Sequence, residues 1–152
     1  MTLQVGDLAP KIALKDQNGK LKTSQQLLGK TYVLFFYPKD DTPGCTMEVC
    51  GFRDNYELFK KLGVEILGVS GDSEKSHQNF SKRHNLPYSI LSDEENKLRK
   101  AFGIPKSLGF IPSRITFIIN KEGKILNCFN NLLDAQAHIK NALNILNSSN
   151  NS

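Results

Sequence analysis

Apolar and polar positions along this chain fall into two alternating rhythms. Tyr32–Tyr37 is a continuous apolar run, Val64–Ser70 is a second mostly apolar one, Tyr88–Leu91 is a short strand-like segment, and Ile115–Asn120 opens on the strongly apolar Ile115–Ile119. Runs of that length with no polar face predict strands covered on both sides. Helical segments lie between them. One spans about Thr46 to Lys61, with Met47, Cys50, Phe52, Leu58 and Phe59 as its apolar positions and Gly63 as its stop. Ser73 predicts the N-cap of a helix ending near His84, and Asp93 that of a helix reaching Phe102. Leu132, Ile139, Leu143 and Leu146 mark a last helix.

Turn chemistry supplies the remaining joints. Asn18-Gly19 predicts a hairpin between Ile12–Leu14 and Leu21–Thr23, and Ser24 a cap for a short helix ending at Gly29. Lys121-Glu122-Gly123 joins Ile115–Asn120 to Lys124–Phe129 in a second hairpin. Strands alternating with helices give an α/β class. No repeat or linker divides the chain. One domain is expected over 1–146, followed by a polar, fraying tail at 147–152.

Composition narrows the function. The 152 residues are 39% hydrophobic and 23% charged, ordinary for a globular domain with its own core. The net charge of +5 comes without any Lys/Arg run longer than two, so it favours solubility over nucleic-acid binding. No apolar run has the length of a membrane span. The first seven residues lack the pattern of an export signal, so a cytoplasmic setting with reduced thiols is expected. Three cysteines, an odd number, argue against a disulfide framework.

The chemistry concentrates in Pro38-Lys39-Asp40-Asp41-Thr42-Pro43-Gly44-Cys45, with Cys50 five residues on. Cys45 follows a Pro/Gly loop at a strand-to-helix junction. In a first helical turn, free N–H groups and the helix dipole stabilise an anion, and a thiolate is one. Arg114, opening an apolar strand, is the candidate cation; its bland role is a solvated strand end. Thr42 either makes the turn or offers its hydroxyl to a substrate oxygen. Pro38 and Pro43 stiffen the loop. Glu48 either completes a capping box or orients Arg114.

Cys50 is open to two readings. Helical residues five apart lie roughly 8–9 Å apart at Cα and point about 140° away from each other. A disulfide tolerates only about 4.4–6.8 Å. Either Cys50 joins Cys45 after the helix unwinds, or it is an unrelated core residue. Cys128 lies in a strand without turn signals and reads as buried packing. His77, His84 and His138 have no metal-ligand spacing with a cysteine and read as surface or packing residues.

These motifs resemble the peroxiredoxin family, in its bacterioferritin-comigratory-protein or PrxQ branch. P-x-x-x-T/S-x-x-C is met by Pro38, Thr42 and Cys45, and T-P-G-C-T-x-E-x-C from Thr42 to Cys50. Gly68–Ser73 with Ser76, His77 and Phe80, then Leu86-Pro87-Tyr88 with Leu91-Ser92-Asp93, then Arg114–Ile119, resemble later family segments in the expected order. The segments 104–113 and 127–131 depart from the family pattern. The resemblance implies a thioredoxin-like fold, with a central mixed sheet flanked by helices and an N-terminal hairpin. It implies a thiol peroxidase acting on H2O2 and organic hydroperoxides, with Cys45 peroxidatic and Cys50 resolving. Thr42, Pro38 and Arg114 complete the expected site, with Glu48 orienting. A monomer recycled by thioredoxin or a similar dithiol is expected, with no cofactor, metal, nucleic acid or membrane. The rival readings on the same fold are a peroxide-sensing switch and a disulfide oxidoreductase, the latter lacking C-x-x-C.

Overall fold

The computed structural model describes residues 2–107 and 111–150. Part of the atypical 104–113 segment, residues 108–110, therefore lies outside the described residues. Strands β1 (Ala13–Lys15) and β2 (Leu21–Thr23) form the antiparallel N-terminal hairpin. The main sheet uses β3 (Thr31–Phe36), β4 (Val64–Ser70), β5 (Ser89–Ser92), β8 (Ile115–Ile119) and β9 (Ile125–Asn130) in the order β5-β4-β3-β8-β9. The pairs β3–β4 and β4–β5 are parallel, whereas β3–β8 and β8–β9 are antiparallel. A short antiparallel pair, β6 (Lys106–Ser107) and β7 (Ile111–Pro112), precedes β8.

The apolar runs are buried on both faces, as their patterning predicts. Along β3, Val33 and Phe35 enter one core while Tyr32, Leu34 and Phe36 enter the other, the period-two alternation of a strand. The first core is closed by helices α1 (Pro43–Asp54), α2 (Tyr56–Lys61), α3 (Glu74–His84) and α5 (Ala135–Asn150). Phe52 of α1 stacks on Phe35 with centroids 4.5 Å apart. Each such fully buried ring contributes about 1.5–3 kcal/mol of transfer free energy. The second core holds α4 (Lys97–Ala101) and the N-terminal segment against the opposite face.

Several boundaries differ from the sequence reading, each for a local reason. The 46–61 element is two helices. It starts earlier, because Pro43 is preset for a first helical position. It breaks at Asn55, whose backbone (φ −106, ψ 8) leaves the helical region while its N–H and its Nδ2 both donate to the Gly51 carbonyl. Thr23, not Ser24, caps the 3-10 turn Ser24–Leu27, in a capping box with Gln26. Ser24 Oγ instead accepts from Ile12 N–H. Asn96 in the left-handed region delays α4 to Lys97. Asp93 still serves that helix, accepting from the N–H groups of Leu98 and Arg99. Leu132 lies before α5, and α5 runs on through Asn150.

Candidate active site

The loop 37–42 leaves β3 at the parallel edge of its partnership with β4 and delivers the chain into α1. Asp40 anchors it from below. Its Oδ1 accepts from Tyr37 Oη at 2.6 Å, and its Oδ2 meets Ser76 Oγ at 2.9 Å and His77 Nδ1 at 2.6 Å. The Asp40 N–H donates to Asp72 Oδ2, which also takes the Ser70 hydroxyl. His77 is fully buried on α3, and its Nε2 donates to the Leu91 carbonyl at 3.0 Å. Burial, then the Asp40 charge, pushes the Tyr37 phenol well above its ordinary value. Asp40, Asp72 and His77 bring metal-ligating atoms together, but all three are committed to this hydrogen-bond hub. The hub fixes the loop.

Above it, Asp41 takes φ +62, a left-handed turn that Asp tolerates, and pairs with Arg83. Thr42 is the extended N-cap of α1, and its carbonyl accepts the first helical bond from Thr46 N–H. Its hydroxyl donates to the Lys39 carbonyl at 3.0 Å and accepts from no helical N–H. With Thr42 at the N-cap the capping-box position falls on Cys45, so Glu48 forms no such box. Pro38 is half-buried at the root of the loop.

Cys45 occupies the third helical position of α1 and is 1% exposed. The N–H groups of Gly44 and Cys45 have no intrahelical acceptor there. Arg114 Nη2 reaches Cys45 Sγ at 3.5 Å. The register β3–β8 makes this meeting possible: Ile115 pairs with Phe36, so the entrance of β8 lies beside the exit of β3. The guanidinium is held in three directions, with Nη1 donating to Glu48 Oε1 at 2.8 Å and Nε to the Leu132 carbonyl at 3.0 Å. Burial works against the Arg114 charge. Hydrogen bonds to Glu48 and Cys45 and the anionic forms of those groups work the other way, and its pKa lies above the ordinary arginine value.

The structure thus gathers Pro38, Thr42, Cys45, Glu48 and Arg114 at one end of the sheet. Cys50 sits on the same helix as Cys45, half-buried, and all three cysteines are free thiols. Burial pushes the Cys50 thiol up, with Arg53 pulling it down and Asp54 adding to the rise. Cys128 is half-buried on β9, less enclosed than its strand suggested, and burial also raises its thiol. Such an arrangement surrounds a sulfur with N–H donors and a fixed cation, which suits an anionic sulfur and a charge developing on a bound oxygen.

Residues 5–127 match the model of the AhpC/TSA family. The chain belongs to the AhpC/TSA family. Within it, the chain is 45% identical over 144 residues to the chloroplastic peroxiredoxin Q of Sedum lineare, covering 94% of this chain and 77% of that protein. It is equally identical to the chloroplastic peroxiredoxin Q of Triticum aestivum over 142 residues, covering 93% of this chain but 65% of that one. The chain thus spans about two thirds of the wheat relative's length. Among solved structures, peroxidoxin BcpB of Mycobacterium tuberculosis superposes with a TM-score of 0.89 at 32% identity, covering 96% of this chain and 97% of that one. Peroxiredoxin Q of Xanthomonas campestris gives 0.84 at 32%, covering 90% of each. The thioredoxin-like fold expected for this family is the one described above.

Three side chains of this site escaped the sequence reading. His77 and His138 are neither exposed nor idle, and Thr116 is buried against His138. A signal was available: His138 shares the face of α5 that carries Ala135, Ile139, Ala142 and Leu146, and His77 stands one turn before Phe80 on α3. No helix among the described residues is long and apolar enough to cross a membrane.

Proposed function

We propose that this chain is a thiol-dependent peroxidase reducing H2O2 and organic hydroperoxides through Cys45. The observation that carries this reading is the 3.5 Å contact between Arg114 Nη2 and Cys45 Sγ in the first turn of α1. The Cys45 thiolate attacks the terminal peroxide oxygen and the O–O bond breaks. Cys45 becomes the sulfenic acid, and the departing alkoxide or hydroxide takes up a proton. Arg114, the Cys45 N–H and the Thr42 hydroxyl, turned from the Lys39 carbonyl, stabilise the charge moving onto that oxygen, while Pro38 keeps the pocket dry. Glu48 orients Arg114.

Cys50 then condenses with the sulfenic acid, forming a Cys45–Cys50 disulfide and releasing water. Both residues lie in α1, about 140° apart around the helix, so α1 opens for this step. A dithiol such as thioredoxin returns both thiols. The relatives support this reading: the bacterioferritin comigratory protein of Xanthomonas campestris is described as having alkyl peroxide reduction activity. With both cysteines in one chain, a monomer suffices. Three free thiols suit a reducing compartment, the cytoplasm or a chloroplast like that named for the plant relatives.

Peroxide consumption with a thioredoxin system tests the assignment. Cys45→Ser should abolish it, and full activity in that variant would overturn the reading. Cys50→Ser should complete one turnover and stop at the sulfenic acid, read by intact mass. The opening of α1 favours one alternative, a peroxide-sensing switch. Oxidation too slow for turnover, together with a partner that binds only the oxidised form, would select it.

A further inference from the structure

Glu48 carries an unsatisfied polar atom. Its side chain is fully buried, and Oε1 takes the Arg114 hydrogen bond, but Oε2 has no hydrogen-bond partner among the described residues. His138 Nδ1 is 3.4 Å from it. A bare carboxylate oxygen left without a donor in a dry interior is costly.

The His138 ring does not supply that donor. Its Nε2 is 2.7 Å from the Asn131 carbonyl, which can only accept, so Nε2 bears the hydrogen. Its Nδ1 therefore bears a single lone pair, shared between the Thr116 hydroxyl at 2.7 Å and Glu48 Oε2 at 3.4 Å. Lone pair would face lone pair across the 3.4 Å gap unless a proton lies on Glu48. A charged imidazolium is the other way to place a proton there. Burial, helped by Arg114, pulls His138 down to about 4 and disfavours it. Burial pushes Glu48 up to about 8 against the pull of Arg114.

We propose that His138 is a positioning residue acting through Glu48: its Nδ1 lone pair holds a proton on the carboxyl, so Glu48 fastens Arg114 as a neutral acid. The 2.8 Å Arg114–Glu48 contact is then a hydrogen bond rather than an ion pair, and the guanidinium charge is left for Cys45. An ionised Glu48, closer to Arg114 than Cys45 is, would neutralise that charge first. The other ionisable groups facing the pair are Cys45 on α1, Tyr88 before β5, which donates to the Val49 carbonyl, and Asp134 before α5. Arg114 is the cation among them. The catalytic consequence rests on the peroxidase reading; the protonation state does not.

Carboxyl NMR of reduced protein labelled with 13C-glutamate tests the proposal, with the Glu48 signal assigned by its loss in Glu48→Gln. Glu48 should be protonated at neutral pH and titrate at about 8. His138→Gln offers Oε2 an N–H and should lower that midpoint by about one pH unit or more, a tenfold change in the acid constant. Thr116→Val frees the Nδ1 lone pair and should hold or raise it. Glu48 titrating with the exposed glutamates, or a midpoint unmoved by His138→Gln, overturns the proposal. Should His138→Gln not fold, the wild-type and Thr116→Val titrations decide. In wild type, the bimolecular rate with peroxide should fall as pH passes the Glu48 midpoint, and His138→Gln should move that fall to lower pH. Failure of peroxidase activity would leave the titration standing, whereas an active peroxidase with an ordinary Glu48 overturns this proposal alone.

Discussion

Gly51 of α1 and Ile139 of α5 approach so closely that a Cβ on Gly51 would lie 2.8 Å from Ile139 Cδ1 and 3.2 Å from its Cγ1. Only a residue without a side chain lets the two helices meet at this distance. The closeness matters beyond packing, because it brings His138 of α5 beside Glu48 of α1.

Gly51→Ala should therefore destabilise the fold, although alanine is the better helix former by about 1 kcal/mol. Overpacking of this kind costs about 1–3 kcal/mol. The denaturant midpoint should fall. Since the strain pushes α1 off α5, intact-mass time courses should show the Cys45–Cys50 disulfide following oxidation faster than in wild type.

Arg114→Met should slow peroxide reaction by about 10²–10³-fold, the usual loss when a preorganised donor is removed from a developing charge. Arg114→Lys should rescue little. Its ammonium cannot reproduce the fork that spans Cys45, Glu48 and the Leu132 carbonyl. Stopped-flow peroxide kinetics on both variants check this.

Asp40→Ala should cost about 3–5 kcal/mol, because it strands Tyr37, Ser76 and His77 in the interior. Thermal denaturation reads the loss. In a folded preparation the peroxide rate should also fall, since Thr42 rides on the loop that Asp40 anchors.

Stability should decline between pH about 6.5 and about 8. The Glu48 pKa is raised in the folded state, from 4.5 to about 8, so its contribution is full below 4.5 and lost as pH rises to 8. The His138 pKa is lowered, from 6.5 to about 4, so its contribution is full above 6.5 and lost as pH falls to 4. From 4.5 to 6.5 the two slopes oppose each other. Above 6.5 only the Glu48 loss is left, at most about 1.4 kcal/mol per pH unit. Denaturation across pH should show this limb in wild type and not in Glu48→Gln.

Much of this was legible in the residues. The runs at 32–37, 64–70 and 115–119 declared buried strands because burial on both faces leaves a mostly apolar signature, broken in 64–70 by the exposed Glu65. The Pro-rich loop and Cys45 declared a helix start. Arg114 was legible as a candidate, but its meeting with Cys45 depends on the register of β3 against β8, which no local pattern encodes. The Asn55 break and the late start of α4 arise from single backbone conformations, at Asn55 and at the left-handed Asn96, an effect hidden in propensity. His138 was missed because a histidine on an apolar helix face resembles packing until its two ring nitrogens are assigned partners.

The break at Asn55 has a mechanical meaning. Asn55 closes α1 with both its N–H and its Nδ2 on the Gly51 carbonyl, and α2 is pinned separately by Phe59, which is fully buried. Unravelling that begins at Pro43 therefore meets a firebreak twelve residues on. The chain can surrender one helix to bring its two sulfurs together while the helix behind it stays seated, so the motion is confined to a single replaceable panel of the fold.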